Sequence, residues 1–179
     1  TWPNFITQEG VKGAEWNKMD RRITPQHNVM LPYTRMLAGP MDYTPGGFRN
    51  ATPKTFELRA VLPQTQTTRG QALAMYVVYD SPLQMVSDDP EAYRDAPGFD
   101  FIRRVPTAWD ETRFIQGEPG RDIVLARRQG RAWYVGAMTG DEARTERVPL
   151  QFLPPGKYRV IMWQDGDAPR ALLRSERLV

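Results

Sequence analysis

Apolar and polar positions change rhythm near residue 100. From Ala132 to Thr139, Trp133, Val135 and Ala137 alternate with Tyr134, Gly136 and Met138. Tyr158, Val160 and Met162 alternate in the same way with Arg159, Ile161 and Trp163. A two-residue period sends alternate side chains to opposite faces of a strand. It predicts strands over Thr112–Gln116, Asp122–Arg127, Ala132–Thr139, Arg147–Phe152 and Tyr158–Gln164, punctuated by Gly117, Gly130, Gly140 and Pro154-Pro155-Gly156. Short strands at this spacing are the mark of an antiparallel sandwich. The same period places Trp109, Trp133, Tyr134, Tyr158 and Trp163 mostly in its core, with an exposed binding platform as the lesser alternative.

Upstream the pattern is helical or irregular. Thr68 suits an N-cap, and Gly70–Tyr79 is apolar nearly all round, as expected of a helix packed on several sides or of a buried strand over Val77-Val78. Leu83–Val86 reads as a short helical turn, and Asp89-Pro90-Glu91 as a capped helix start. Residues 1–50 are dense in Pro, Gly and isolated aromatics. Within them Leu31–Ala38 predicts a short helix, stopped by Gly39-Pro40 and followed by a turn at Tyr43–Gly47. The chain therefore divides into a helix- and loop-rich unit, 1–100, and an all-β unit, 101–179.

Composition narrows the function classes. Of 179 residues, 40% are hydrophobic and 11% aromatic, the balance of a globular protein with a real core. The net charge is only +3, and basic residues cluster no further than the pairs Arg21-Arg22, Arg103-Arg104 and Arg127-Arg128. That argues against nucleic acid as a partner. The Arg excess reads as compositional bias. With no Cys, disulfides and thiolate metal sites are excluded. A single His, His27, excludes multi-His sites and suits a structural hydrogen bond. No apolar run approaches the ~20 residues of a membrane span, and no signal sequence follows Thr1, so the chain reads as soluble and as a fragment or processed product. The sequon Asn50-Ala51-Thr52 reads as chance.

The candidate chemistry lies in Glu9-Gly10-Val11-Lys12-Gly13-Ala14-Glu15-Trp16, close behind Trp2-Pro3-Asn4. A helix would put two acids six positions apart on different faces. Gly10 and Gly13 instead let a loop curl and turn both carboxylates toward one point. Converging acids serve a metal, general acid/base chemistry, or both. On spacing alone, two solvated loop acids remain the commoner arrangement. Trp16 could stack on a sugar ring or pack beneath the loop. Asp42 reads as a turn cap rather than a partner of the acids.

This opening run, Leu31–Gly46 and Val105–Thr112 together resemble glycoside hydrolase family 97, the bacterial α-glucosidases and α-galactosidases. The segments Tyr76–Met85 and Trp133–Thr139 agree in order and spacing. The resemblance implies an α/β plus all-β architecture: the C-terminal portion of a (β/α)8 barrel over 1–100, then a small antiparallel β-sandwich domain over 101–179. It implies that Glu15 matches the family's general acid and Glu9 a carboxylate ligand of its calcium ion (Ca2+), with Glu15 a second candidate ligand. Hard carboxylate oxygens suit calcium at about 2.3–2.6 Å. It also implies an oligosaccharide substrate, a homo-oligomer joined through the last domain, and a periplasmic location. Glycoside hydrolysis takes two carboxyl groups, and the family's base or nucleophile has no match here, so this chain alone is expected to be inactive. The rival reading is a non-catalytic module for carbohydrate binding or oligomerisation.

Overall fold

A computed structural model describes residues 4–179; Thr1, Trp2 and Pro3, part of the opening motif, lie outside the described residues. Four helices, α1 (Pro25–Met30), α2 (Arg69–Val78), α3 (Pro90–Tyr93) and α4 (Phe99–Ile102), precede five strands. The strands are β1 (Glu111–Glu118), β2 (Asp122–Gln129), β3 (Ala132–Thr139), β4 (Arg159–Asp165) and β5 (Leu172–Leu178). Strands β1-β2-β3 form one antiparallel sheet and β4-β5 another. Among the described residues no helix is long and apolar enough to cross a membrane.

The expected closing part of a (β/α)8 barrel is not in this chain. Residues 4–100 contain helices and loops, joined as sheet only by the single parallel bridges Gln8↔Met41 and Asn50↔Thr65. Parallel barrel strands need hydrogen-bonded neighbours along their length, which a segment broken by Pro and Gly does not provide. Three local expectations also change. Leu83–Val86 is irregular, with a bend at Leu83, rather than a helical turn, Arg147–Phe152 forms no strand, and Leu31–Ala38 is two 3-10 turns, Leu31–Tyr33 and Arg35–Ala38. Pro149 has no N–H to give a ladder, which suits the irregular course there.

Helix α2 is the pillar of the fold. The Thr68 hydroxyl accepts the Gln71 N–H at 3.1 Å, as its sequence predicts. Asp165, at the end of β4, adds a second cap by accepting the Gly70 N–H at 2.8 Å and the Thr68 hydroxyl at 2.7 Å. Most of the helix is buried, including Leu73, Met75, Tyr76, Val77 and Val78. One side joins Val29, Met41, Tyr43, Ile123, Leu125 and Met138 in the main core. Leu73 joins a second cluster with Phe48, Tyr93, Phe101, Trp163 and Leu172. Strand β2, central in its sheet, is buried from Asp122 to Arg127. The aromatics in and beside the strands are less deep than their alternation predicts: Trp109, Trp133, Tyr134, Tyr158 and Trp163 are each half-buried. Trp109 packs on Tyr134 and Trp133 on Phe152, with ring centroids 5.3 and 5.0 Å apart.

Helix α2 can approach β3 only because residue 136 is glycine. A Cβ there would lie 2.9 Å from Val77 Cβ and Val78 Cγ2, and 3.0 Å from the Ala74 carbonyl oxygen. Gly136→Ala is expected to destabilise the chain by about 1–3 kcal/mol through overpacking, read as an earlier urea midpoint with an unchanged slope. An unshifted midpoint would show that the helix can slide off the sheet without cost.

Candidate functional site

The two acids sit where residues 8–15 run alongside residues 40–43. The Asp42 N–H donates to the Gln8 carbonyl at 3.2 Å, and the Ala14 N–H to the Tyr43 carbonyl at 2.9 Å. Arg35 holds the pairing from outside. Its guanidinium donates to the carbonyls of Gln8 and Glu9 at 2.5 and 3.0 Å, and to that of Gly39 at 3.1 Å. Nothing in the sequence pattern singled out Arg35, although it is the one cation in the otherwise apolar stretch before Gly39-Pro40.

The two glycines do different work. Gly10 adopts φ +54, a left-handed conformation that reverses the chain after Glu9. Gly13 has an ordinary φ of −78, and its role is space. A Cβ at 13 would lie 2.2 Å from the Tyr43 carbonyl oxygen and 2.6 Å from Glu15 Oε2. The segment Ala14–Lys18 is a 3-10 turn with Glu15 in its first turn.

Glu15 Oε2 is buried with no hydrogen-bond partner among the described residues. Burial raises the Glu15 pKa above the ordinary 4.5; its own N–H opposes this next most strongly, the negative charges of Glu9 and Asp42 raise it further, and Lys18 lowers it least. Both acids therefore share one electrostatic neighbourhood, and Asp42 belongs to it. Asp42 makes no capping side-chain bond among the described residues, contrary to its reading as a turn cap. Lys12 cannot neutralise this group, because its ammonium lies 2.7 Å from Asp20. Arg22 and Lys12 together hold the Asp20 carboxyl well below the usual carboxylate range. His27 has the structural role expected of it: Nε2 is 3.1 Å from the Lys12 carbonyl oxygen.

Behind the site Tyr43 is fully buried, its hydroxyl pushed far up by burial and by the charge of Glu15. It donates to Asn28 Oδ1 at 2.5 Å. Asn28, 0% exposed and absent from the sequence reading, thus ties the acid-bearing loop to the core. Trp16 is half-buried, with the Lys12 ammonium 5.6 Å from its ring centroid. Asn50 is buried, its amide nitrogen donating to Gly47 O and Thr67 Oγ1, so the sequon is no open acceptor.

A half-buried carboxyl of raised pKa can keep a proton closer to neutral pH than a solvated one, the property a general acid needs. Carboxylate oxygens are also the right donors for calcium. Among the described residues, however, no group of three or more His, Cys, Asp or Glu side chains could hold a metal ion.

Residues 108–177 match the family model described as the C-terminal, oligomerisation domain of glycosyl hydrolase 97. Over 175 residues the chain is 41% identical to a retaining alpha-galactosidase of Bacteroides thetaiotaomicron, covering 96% of this chain and 26% of that protein. It is 38% identical over 180 residues to a probable retaining alpha-galactosidase of Streptomyces bingchenggensis, covering 100% and 26%. The chain spans about a quarter of the length of these curated relatives. Among solved structures it resembles a glycoside hydrolase family 97 enzyme of Pseudoalteromonas sp. strain K8 in complex with acarbose, with TM-score 0.88 and 38% identity over 100% of this chain and 29% of that one. A beta-arabinopyranosidase matches with TM-score 0.74 and 26% identity, over 100% and 30%.

Proposed function

We propose, from the premise that the chain belongs to glycoside hydrolase family 97 through its C-terminal part, that it is the segment of an α-glycosidase that joins subunits and contributes one acid to catalysis. The single observation behind the catalytic half is Glu15, whose unpartnered Oε2 and raised pKa suit a proton donor to a leaving glycosidic oxygen. Glu9, on the same loop, would be one carboxylate ligand of a calcium ion whose other ligands come from outside this chain. That ion would supply a fixed positive charge beside the sugar. The chain's own contribution is to carry the loop on Arg35 and Gly10 and to shield Glu15 from water. The names of the two curated relatives favour an α-galactoside as the substrate over an α-glucoside. A periplasmic location follows from the family resemblance alone.

The test is a chimera. The matching quarter of the Bacteroides thetaiotaomicron enzyme is replaced by this chain, and turnover of an aryl α-galactoside is measured. The chimera is expected to turn over and the isolated chain to show neither turnover nor tight calcium binding, because one acid cannot perform a two-carboxylate reaction. Turnover by the isolated chain, purified clean, would overturn the reading. The alternative of a non-catalytic assembly module is favoured by the described oligomerisation role of 108–177. It would prevail if Glu15 proved dispensable in an active chimera.

A further inference from the structure

Strand β5 pairs with β4 without a bulge, from Leu172↔Asp165 to Leu178↔Arg159. Hydrogen bonds between Tyr158 and Val179, 2.9 Å each way, extend the ladder by one pair. Among the described residues the other long edge of β5 carries no strand. All of β5 but Leu172 is exposed, Leu178 at 80% and Leu173 at 54%. Exposed edges invite another strand, and proteins usually blunt them with bulges, proline or mismatched charge. Strand β1, one of the two edges of the other sheet, is blunted in this way by a bulge between Phe114 and Gln116. Strand β5 contains no proline, glycine or bulge.

Its sequence, Leu-Leu-Arg-Ser-Glu-Arg-Leu, complements itself when read against its own reverse. In an antiparallel pairing with a two-fold axis at Ser175, Arg174 lies opposite the partner's Glu176 and Glu176 opposite the partner's Arg174. Leu172 lies opposite the partner's Leu178, and the stem of Arg177 covers the partner's Leu173. All four apposed residues Leu172, Arg174, Glu176 and Leu178 share one face of the strand. Within one chain Arg159 Nε already bonds Glu176 Oε1 at 2.6 Å, Arg174 Nη2 donates to Glu176 Oε2 at 3.3 Å, and the Arg174 guanidinium lies 5.8 Å from the Trp163 ring centroid. The pairing continues this row: Arg159, Glu176, the partner's Arg174, the partner's Trp163. Opposite charges directly across strands stabilise, and like charges there destabilise.

We infer that β5 is the subunit contact: two copies of this chain join β5 to β5 about a two-fold axis at Ser175, forming a four-stranded sheet β4-β5-β5-β4. The inference rests on the oligomerisation reading of residues 108–177 and names the surface responsible. A two-fold dimer requires an isologous contact, and strand addition at β5 supplies one.

The absence of Cys makes the test clean. Directly opposed residues of an antiparallel pair have Cα atoms about 4.5–5.5 Å apart, within disulfide reach. Ser175→Cys in the full chain should therefore form a disulfide-linked dimer under mild oxidation. Leu173→Cys should not, since its two copies lie about 14 Å apart. Arg174→Glu should raise the dimer dissociation constant about tenfold in sedimentation equilibrium, and R174E combined with E176R should restore part of it, short of the whole because an arginine at position 176 then faces Arg159. Arg174 is exposed, so circular dichroism should show each variant folded. An unmodified chain that stays monomeric at high micromolar concentration overturns the oligomerisation reading together with this inference. An unmodified dimer with no S175C cross-link and no response to R174E leaves that reading standing and overturns β5 as the contact.

Discussion

Replacing Asn28 with alanine is expected to cost about 3–5 kcal/mol, enough to leave the chain marginally folded at 37 °C. Asn28 is 0% exposed. Its Oδ1 accepts the Tyr43 hydroxyl, and its Nδ2 donates to Gln71 Oε1 at 3.3 Å. Gln71 in turn donates to the Thr139 carbonyl at 2.8 Å, so the network ties α1, α2 and the end of β3 together. Alanine keeps the Asn28 carbonyl that accepts the Tyr79 hydroxyl at 2.9 Å. It strands the Tyr43 hydroxyl and Gln71 Oε1 in the core, at roughly 1–3 kcal/mol for each unmade bond, and adds a small cavity. Urea unfolding checks the loss. The partner substitution Tyr43→Phe should cost less, and adding it to Asn28→Ala should cost much less than the sum, because no hydroxyl is then left unpaired. A loss below about 1 kcal/mol for Asn28→Ala would mean that water or a repacked side chain replaces the amide.

The parts of this molecule legible in its sequence are those governed by short periods and local caps. The alternation at Ala132–Thr139 marks β3 to the residue, and Thr68 and Asp89 cap the helices they were expected to cap. Strand β5 escaped because Arg174, Ser175 and Glu176 interrupt its apolar pattern: it has one half-buried residue and a long open edge, so burial imposes almost no alternation. Arg147–Phe152 misled for the opposite reason. Val148 and Leu150 suggest a strand, but no neighbouring backbone is in place to pair with it. At the site, Glu9 and Glu15 were visible as acids flanking glycines. Asn28 and Arg35 were not, and Asp42 was visible but read as a turn cap, because their roles depend on 40–43 lying beside 8–15, a contact between segments some thirty residues apart. Gly13 was found for the wrong reason. A close approach to a carbonyl leaves no trace in local sequence that distinguishes it from a turn.

Glu15→Gln in the chimera is expected to lower kcat by about 10²–10⁴-fold on a substrate with a poor leaving group, the usual worth of a positioned general acid. An activated substrate such as dinitrophenyl α-galactoside, whose leaving group departs without a proton, should lose far less. The same substitution should change stability in the other direction. The folded-state pKa of Glu15 is raised above 4.5, chiefly by burial and then by Glu9 and Asp42. Its favourable contribution is therefore fully present below the unfolded pKa and is lost as pH rises through the folded value. At pH 7 the wild-type chain carries a desolvated charge close to two others, and glutamine removes it. The isolated E15Q chain should melt higher at pH 7, by no more than a few degrees given the screening of a half-exposed group, and the two should converge below about pH 4.5. Such a residue weakens the fold that holds it, which suits an acid kept for chemistry. If kcat falls equally on both substrates, Glu15 positions the sugar rather than protonating the departing oxygen. If melting temperature at pH 7 also drops, its carboxylate is a structural anchor.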